Sequence, residues 1–111
     1  MTSTKEDQYE AIRTQLEERY EFHTDQLQDL MTADVTPGTA SVNAALRAQS
    51  RQALSEIAAA LRHMAEGSYG RCHECQNDIP LERLEARPDA ALCASCQATR
   101  DRRLTRRLSA A

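Results

Sequence analysis

The four cysteines of the chain stand as two C-x2-C pairs, Cys72/Cys75 and Cys93/Cys96, with seventeen residues between the pairs. A C-x2-C turn brings two sulfurs to one point without strain, and two such turns enclose a soft divalent cation in a tetrahedron of thiolates. The spacing is that of four-cysteine zinc sites, so the sequence predicts one structural Zn2+ per chain held by Cys72, Cys75, Cys93 and Cys96. A closed set of four sulfurs leaves no position for a reactive water, and the metal is expected to hold structure and not to catalyse. The charge of four thiolates calls for nearby donors, for which Arg71, Arg83, Arg87 and Arg100 are candidates. His73 lies between the first two cysteines and reads as a bystander, because the ligand set is complete without it.

Other reactive groupings are scarce. There is no Gly-rich phosphate loop and no nucleophile elbow, and His23, His63 and His73 have no evident catalytic partner, so the chain does not read as an enzyme. The opening residues MTSTKEDQYE are polar and acidic, and no window approaches the roughly 20 apolar residues that span a bilayer. A cytoplasmic protein without membrane association is expected, a compartment in which paired cysteines hold metal more often than disulfides. Oxidation of the thiolates with release of the metal is a third class of function, for which no residue pattern speaks.

The elements that must carry this site are helical. Of 111 residues, eighteen are alanine, with one Phe and no Trp, so any core is small. From about Lys5 to Met31 no Pro or Gly interrupts, and Tyr9, Ile12, Leu16, Tyr20, His23, Leu27 and Leu30 recur at helical steps. A second run from about Ser41 to Glu66 places Val42, Leu46, Ser50, Leu54, Ile57, Leu61 and Met64 at similar steps. Between them, TADVTPGTAS holds a Pro37-Gly38 pair that ends a helix and Ser and Thr residues able to cap the next. Helices of about 25 residues are roughly 37 Å long, more than so small a globule requires. The expected fold is therefore mainly α: a long antiparallel helical hairpin (residues 1–66, tip about 32–41), a four-cysteine finger (67–99) and a basic C-terminal helix (100–111). Gly67 suits the end of the second helix and Gly70 a turn into the first cysteine. The final helix, with Leu104 and Leu108 on one face, is expected to pack back near the finger.

The stretch GSYGRCHECQNDIPLERLEARPDAALCASCQ closely resembles the DksA/TraR family of bacterial transcription factors. The resemblance lies in the Gly-x-Tyr-Gly-x-Cys lead-in, the Ile-Pro step, RLEARP and the closing Cys-x2-Cys-Gln. It implies a factor that binds RNA polymerase directly, inserts its coiled coil into the secondary channel and modulates initiation without binding specific DNA. Asp34, Thr36 and Ala40 at the tip, with Arg87, Arg100 and Arg103 at the base, are the implied contacts, and a monomer is expected. Longer members carry D-x-x-D-x-A at the tip. Aligning its alanine on Ala40 puts Val35 and Gly38 at the aspartate positions, with Asp34 and Asp29 nearby. Some members bind ppGpp through basic residues of the second helix, of RLEARP and just after the last cysteine. Arg87 matches, but Glu56 and Gln97 occupy the other two positions, so little or no ppGpp response is expected.

The formal net charge is −3, unevenly spread: residues 1–31 carry three basic and eight acidic side chains, whereas residues 100–111 carry five arginines and one aspartate. The alternative function is a zinc-dependent nucleic-acid-binding module using Arg100, Arg102, Arg103, Arg106 and Arg107. Against it, the acidic start of the first helix returns close to the tail in an antiparallel hairpin and could balance those arginines internally.

Overall fold

The structure, a computed structural model, describes residues 5–109; residues 1–4 and 110–111, assigned above to the start of the hairpin and the end of the tail, lie outside the described residues. Helix α1 (Lys5–Thr32) and helix α2 (Ala40–Glu66) form an antiparallel hairpin in a molecule measuring 55 × 38 × 23 Å. A short helix α3 (Leu81–Ala86) lies inside the finger, and α4 (Ala94–Ser109) leads out of it. No strand occurs among the described residues, only one antiparallel bridge between Arg71 and Asp78.

The hairpin turns over residues 33–39, where Thr36, Pro37 and Gly38 break the helical path. Thr39 occupies the N-cap of α2, but its hydroxyl accepts from the Thr36 N–H at 3.0 Å instead of capping the helix. The turn is thus closed on itself by the two threonines. Asn43 Nδ2 donates across the hairpin to the Leu30 carbonyl at 3.0 Å, which fixes the register at the tip. At the other end Gly67 adopts φ 79°, and the Ser68 N–H returns to the His63 carbonyl at 2.9 Å, closing α2 in a left-handed turn.

The seam between the helices follows the sequence pattern only near its root. Ile12, Leu16, Ile57 and Ala60 are buried there. Toward the tip, Val42 is 62% exposed and Leu46 39%, while the inward positions are taken by Asn43, Arg47 and Ser50. The cause is arithmetic: successive steps of four residues advance 400°, so the series 54, 50, 46, 42 rotates about 40° off the contact face at each step. Steps of three and four, from Ser50 to Arg47 to Asn43, stay on it. Tyr20, 42% exposed, is displaced for the same reason.

The hairpin root and the finger share one core: Ile12, Leu16, Ile57 and Ala60 join Cys72, Ile79, Leu84 and Leu92, with Tyr9, Met64 and Tyr69 packed around them. Tyr69 sits edge-on to Tyr9, with ring centroids 5.0 Å apart, and its hydroxyl donates to the Pro88 carbonyl at 2.8 Å. Burial is the main influence that raises the Tyr69 phenol, which therefore stays a donor.

Gly70 enters the finger at φ 86°, and a Cβ there would stand 2.5 Å from the Tyr9 hydroxyl and 3.4 Å from Leu84 Cδ1. The left-handed backbone alone costs a non-glycine residue roughly 1–2 kcal/mol. A Gly70→Ala variant is expected to lose about 2 kcal/mol in denaturant unfolding, because the Tyr9–Tyr69 pair must also shift. Unchanged stability would show that the ring pair yields freely.

Helix α4 departs from expectation. It starts at Ala94, so Cys96 lies in its first turn, and every residue from 100 to 109 is exposed. Leu104 is 56% and Leu108 74% exposed, so this segment does not pack back on the finger. No ion pair is seen between an α4 arginine and α1 among the described residues.

Candidate metal centre

The first knuckle is built on tight backbone turns. Cys72 N–H donates to the Asn77 carbonyl at 2.9 Å, Gln76 N–H returns to the Cys72 carbonyl at 3.0 Å, and Gln76 closes the loop at φ 65°. The second knuckle is the start of α4, where the Gln97 N–H bonds the Cys93 carbonyl at 2.9 Å and the Cys96 N–H points to Cys93 Sγ at 3.5 Å. His73 N–H bonds the Ala91 carbonyl at 3.0 Å and ties the two halves together.

These turns bring Cys72, Cys75, Cys93 and Cys96 together with all four sulfurs within 4.8 Å of one another, and none is in a disulfide. Among the described residues no other group of three or more metal-ligating side chains is so gathered. The Cys75 and Cys93 sulfurs are 3.9 Å apart. Sulfurs 2.3 Å from a tetrahedral zinc lie about 3.8 Å from each other, so the donor set fits that ion.

The thiols are electrostatically divided. Burial, the largest influence on Cys72, opposes its ionisation, yet N–H groups of Cys75, Cys93 and Glu74 bring it down to about 6. Cys96 is pushed up to about 12 by hydrogen bonds shared with Cys93 and Cys72, and then by burial. Sulfurs this close ionise together only around a cation, which is the chemistry a structural Zn2+ supplies.

The candidate arginines divide in their roles. Arg83 Nε donates to the Leu92 carbonyl at 3.0 Å and braces the segment that carries Cys93. Arg87 and Arg100 line a recess of about 100 Å³ beside the finger, together with Arg83, Glu56, Asp89 and Gln97. The positions expected to face a polyphosphate, Glu56, Arg87 and Gln97, are thus brought to one place, and the Glu56 carboxylate accepts from Gln52 Nε2 at 2.9 Å. Arg103 lines a different, more open surface with Glu74 and Arg107. Asp34, Thr36 and Ala40 stand exposed on the tip, away from all of these.

Sequence reasoning passed over two features. Tyr69 lies in the GSYG lead-in to the finger, but its bond to Pro88 depends on a contact nineteen residues away. The approach of His63 to His73, with ring centroids 4.9 Å apart, had no sequence signal at all.

Residues 67–102 match the prokaryotic dksA/traR C4-type zinc finger family. The RNA polymerase-binding transcription factor DksA of Caulobacter vibrioides is 44% identical over 57 residues, covering 51% of this chain and 40% of that protein. The corresponding factor of Buchnera aphidicola is 39% identical over 51 residues, and general stress protein 16O of Bacillus subtilis 44% over 48. The match therefore spans well under half the length of these relatives. Among solved structures, transcription factor DksA2 from Pseudomonas aeruginosa superposes with a TM-score of 0.60 at 28% identity, over 91% of this chain and 88% of that one.

Proposed function

From a chain that carries the zinc finger of the DksA/TraR family and shares its fold with DksA2, we propose a cytoplasmic transcription regulator that binds RNA polymerase directly as a monomer. It is not an enzyme. Cys72, Cys75, Cys93 and Cys96 ligate one structural zinc, and the finger aims the hairpin. The hairpin enters the polymerase secondary channel, with Asp34, Thr36 and Ala40 at the inner end and Arg87, Arg100 and Arg103 against the outer rim.

The observation that carries this reading is the hairpin itself. Its two helices, of 28 and 27 residues, bury aliphatic side chains only toward their root, and every residue from 31 to 42 is exposed. An arm whose outer end covers nothing of its own chain is built to meet something else. No helix of the described residues is long and apolar enough to cross a membrane.

The recess beside the finger supports a weak ppGpp response. Glu56 sets a carboxylate where phosphates would come, and Gln97 supplies no charge. Losing one charge-assisted hydrogen bond costs about 1.5–3 kcal/mol, or roughly one to two decades in affinity. Two such losses make the site ineffective for a polyphosphate, although Arg83, Arg87 and Arg100 remain.

The test has two arms with the matching polymerase. Core enzyme is expected to retain the protein, and a plugged secondary channel to abolish retention; equal binding to the plugged enzyme overturns the proposal. At a stable-RNA-type promoter, ppGpp is expected to add little to the unmodified protein and much more to a Glu56→Lys, Gln97→Lys variant. Strong synergy in the former, no greater in the latter, overturns the reading of the recess.

The exposed α4 arginines favour a second reading, a module that contacts nucleic-acid phosphates. Sequence-specific DNA recognition is not part of the first reading, since among the described residues no helix outside the tail offers a stripe of base-reading side chains. A footprint left by the protein alone at near-physiological salt would promote the second.

A further inference from the structure

A second cluster with ligand character lies where α2 meets the first knuckle. His63, in the last turn of α2, and His73, between Cys72 and Cys75, approach with ring centroids 4.9 Å apart and ring planes at 74°. Two imidazoles bound to one tetrahedral cation, with metal–nitrogen bonds of about 2.0 Å, hold their ring centres about 5 Å apart. The observed spacing, in an edge-to-face contact, matches the separation that a shared ion requires.

His63 is oriented as metal-binding histidines are. Its Nδ1 is engaged by Ser68 Oγ at 2.9 Å, with the Glu66 carboxylate 3.9 Å away. A partner on one ring nitrogen fixes the ring and leaves the other as donor, which is how ligating histidines are generally held. Neither His63 Nε2 nor a ring nitrogen of His73 is engaged in a hydrogen bond among the described residues.

There is also room. The two histidines line a cavity of about 90 Å³ that Glu56, Asp89, Arg71 and Ala91 also border. A water needs only about 10–15 Å³ of such space, so a cation with its waters is accommodated. Its rim carries two carboxylates against one guanidinium, an electrostatic balance that favours a cation.

We propose that His63 and His73 form a second metal site, separate from the four thiolates, for a borderline divalent transition ion whose remaining positions are filled by water. Imidazole donors suit Ni2+, Cu2+ and Zn2+ in preference to Mg2+ or Ca2+. Because the ligands come from the hairpin and from the finger, occupancy fastens the arm to its base.

The test uses full-length protein first loaded with one equivalent of zinc, titrated calorimetrically with Ni2+ while a chromogenic chelator reports any zinc released. One further equivalent of nickel is expected below about 100 µM, with the zinc retained. His73→Gln and His63→Gln are each expected to weaken nickel binding at least tenfold while keeping one zinc per chain. Ser68→Ala, which frees the ring of His63, is expected to weaken it about tenfold. His73 is exposed, so its variant keeps the fold and preserves the test. No second equivalent, undiminished binding in His73→Gln, or uptake of nickel only with loss of zinc overturns the proposal.

Discussion

A Cys93→Ser variant is expected to bind far less than one equivalent of zinc and to lose the folded finger while keeping much of its helical circular dichroism. Binding of structural zinc by zinc-finger peptides is worth about 10–16 kcal/mol, and that free energy is folding free energy. A domain of this size is stable by only about 5–15 kcal/mol in all, so nothing else in the finger can offset the loss. Cys93 opens the second knuckle, and its sulfur is 3.9 Å from that of Cys75, so its removal breaks the link between the two knuckles. The damage does not stop at the finger. Cys72, Ile79, Leu84 and Leu92 complete the core that covers Ile12, Leu16, Ile57 and Ala60, so the root of the hairpin is uncovered as well. Metal analysis under reducing conditions, with circular dichroism and amide exchange on the same sample, checks each part. A full equivalent of zinc in the variant would remove Cys93 from the ligand set.

Leu16→Ala is expected to be the most damaging replacement of a single apolar side chain in α1. Leu16 is fully buried at the junction of α1, α2 and the finger. Truncating such a leucine costs about 2–5 kcal/mol, since the cavity collapses only in part. At about 4–8 °C per kcal/mol for a domain of this size, the melting temperature falls by about 10 °C or more. Val42→Ala supplies the contrast: with that side chain 62% exposed, the change is expected to stay within about 0.5 kcal/mol. Melting curves of the two zinc-loaded variants decide the matter. Equal losses would mean that Val42 belongs to the seam after all.

The cysteine cluster and the hairpin were legible because each rests on local information. A C-x2-C turn carries its geometry within four residues, and a long run without Gly or Pro followed by Pro37-Gly38 declares a helix and its end. The side chains facing inward near the tip were not legible, because apolarity at Val42 and Leu46 competed with helical phase, and phase prevailed. Fixing that phase required the Asn43 to Leu30 bond, which links residues thirteen apart. The course of α4 was equally hidden. Leu104 and Leu108 make an apolar face, but a face specifies burial only if a complementary surface lies within reach, and the first turn of α4 is already committed to the second knuckle. That Glu56, Arg87 and Gln97 share one site was legible only through the family resemblance, since no local pattern links positions so far apart in sequence, and the folded chain sets them around one recess.

The change of character along the seam gives the arm graded mechanical properties. Near the finger, interlocking aliphatic side chains resist shear, since sliding them would open voids. Farther out, Asn43, Arg47 and Ser50 stand where interlocking aliphatic side chains would be, so less apolar packing opposes bending there. The hairpin is a cantilever, clamped where it joins the metal-bound mount and pliant toward its free end. Such a beam can follow a curved or narrow passage while its mount keeps a fixed bearing.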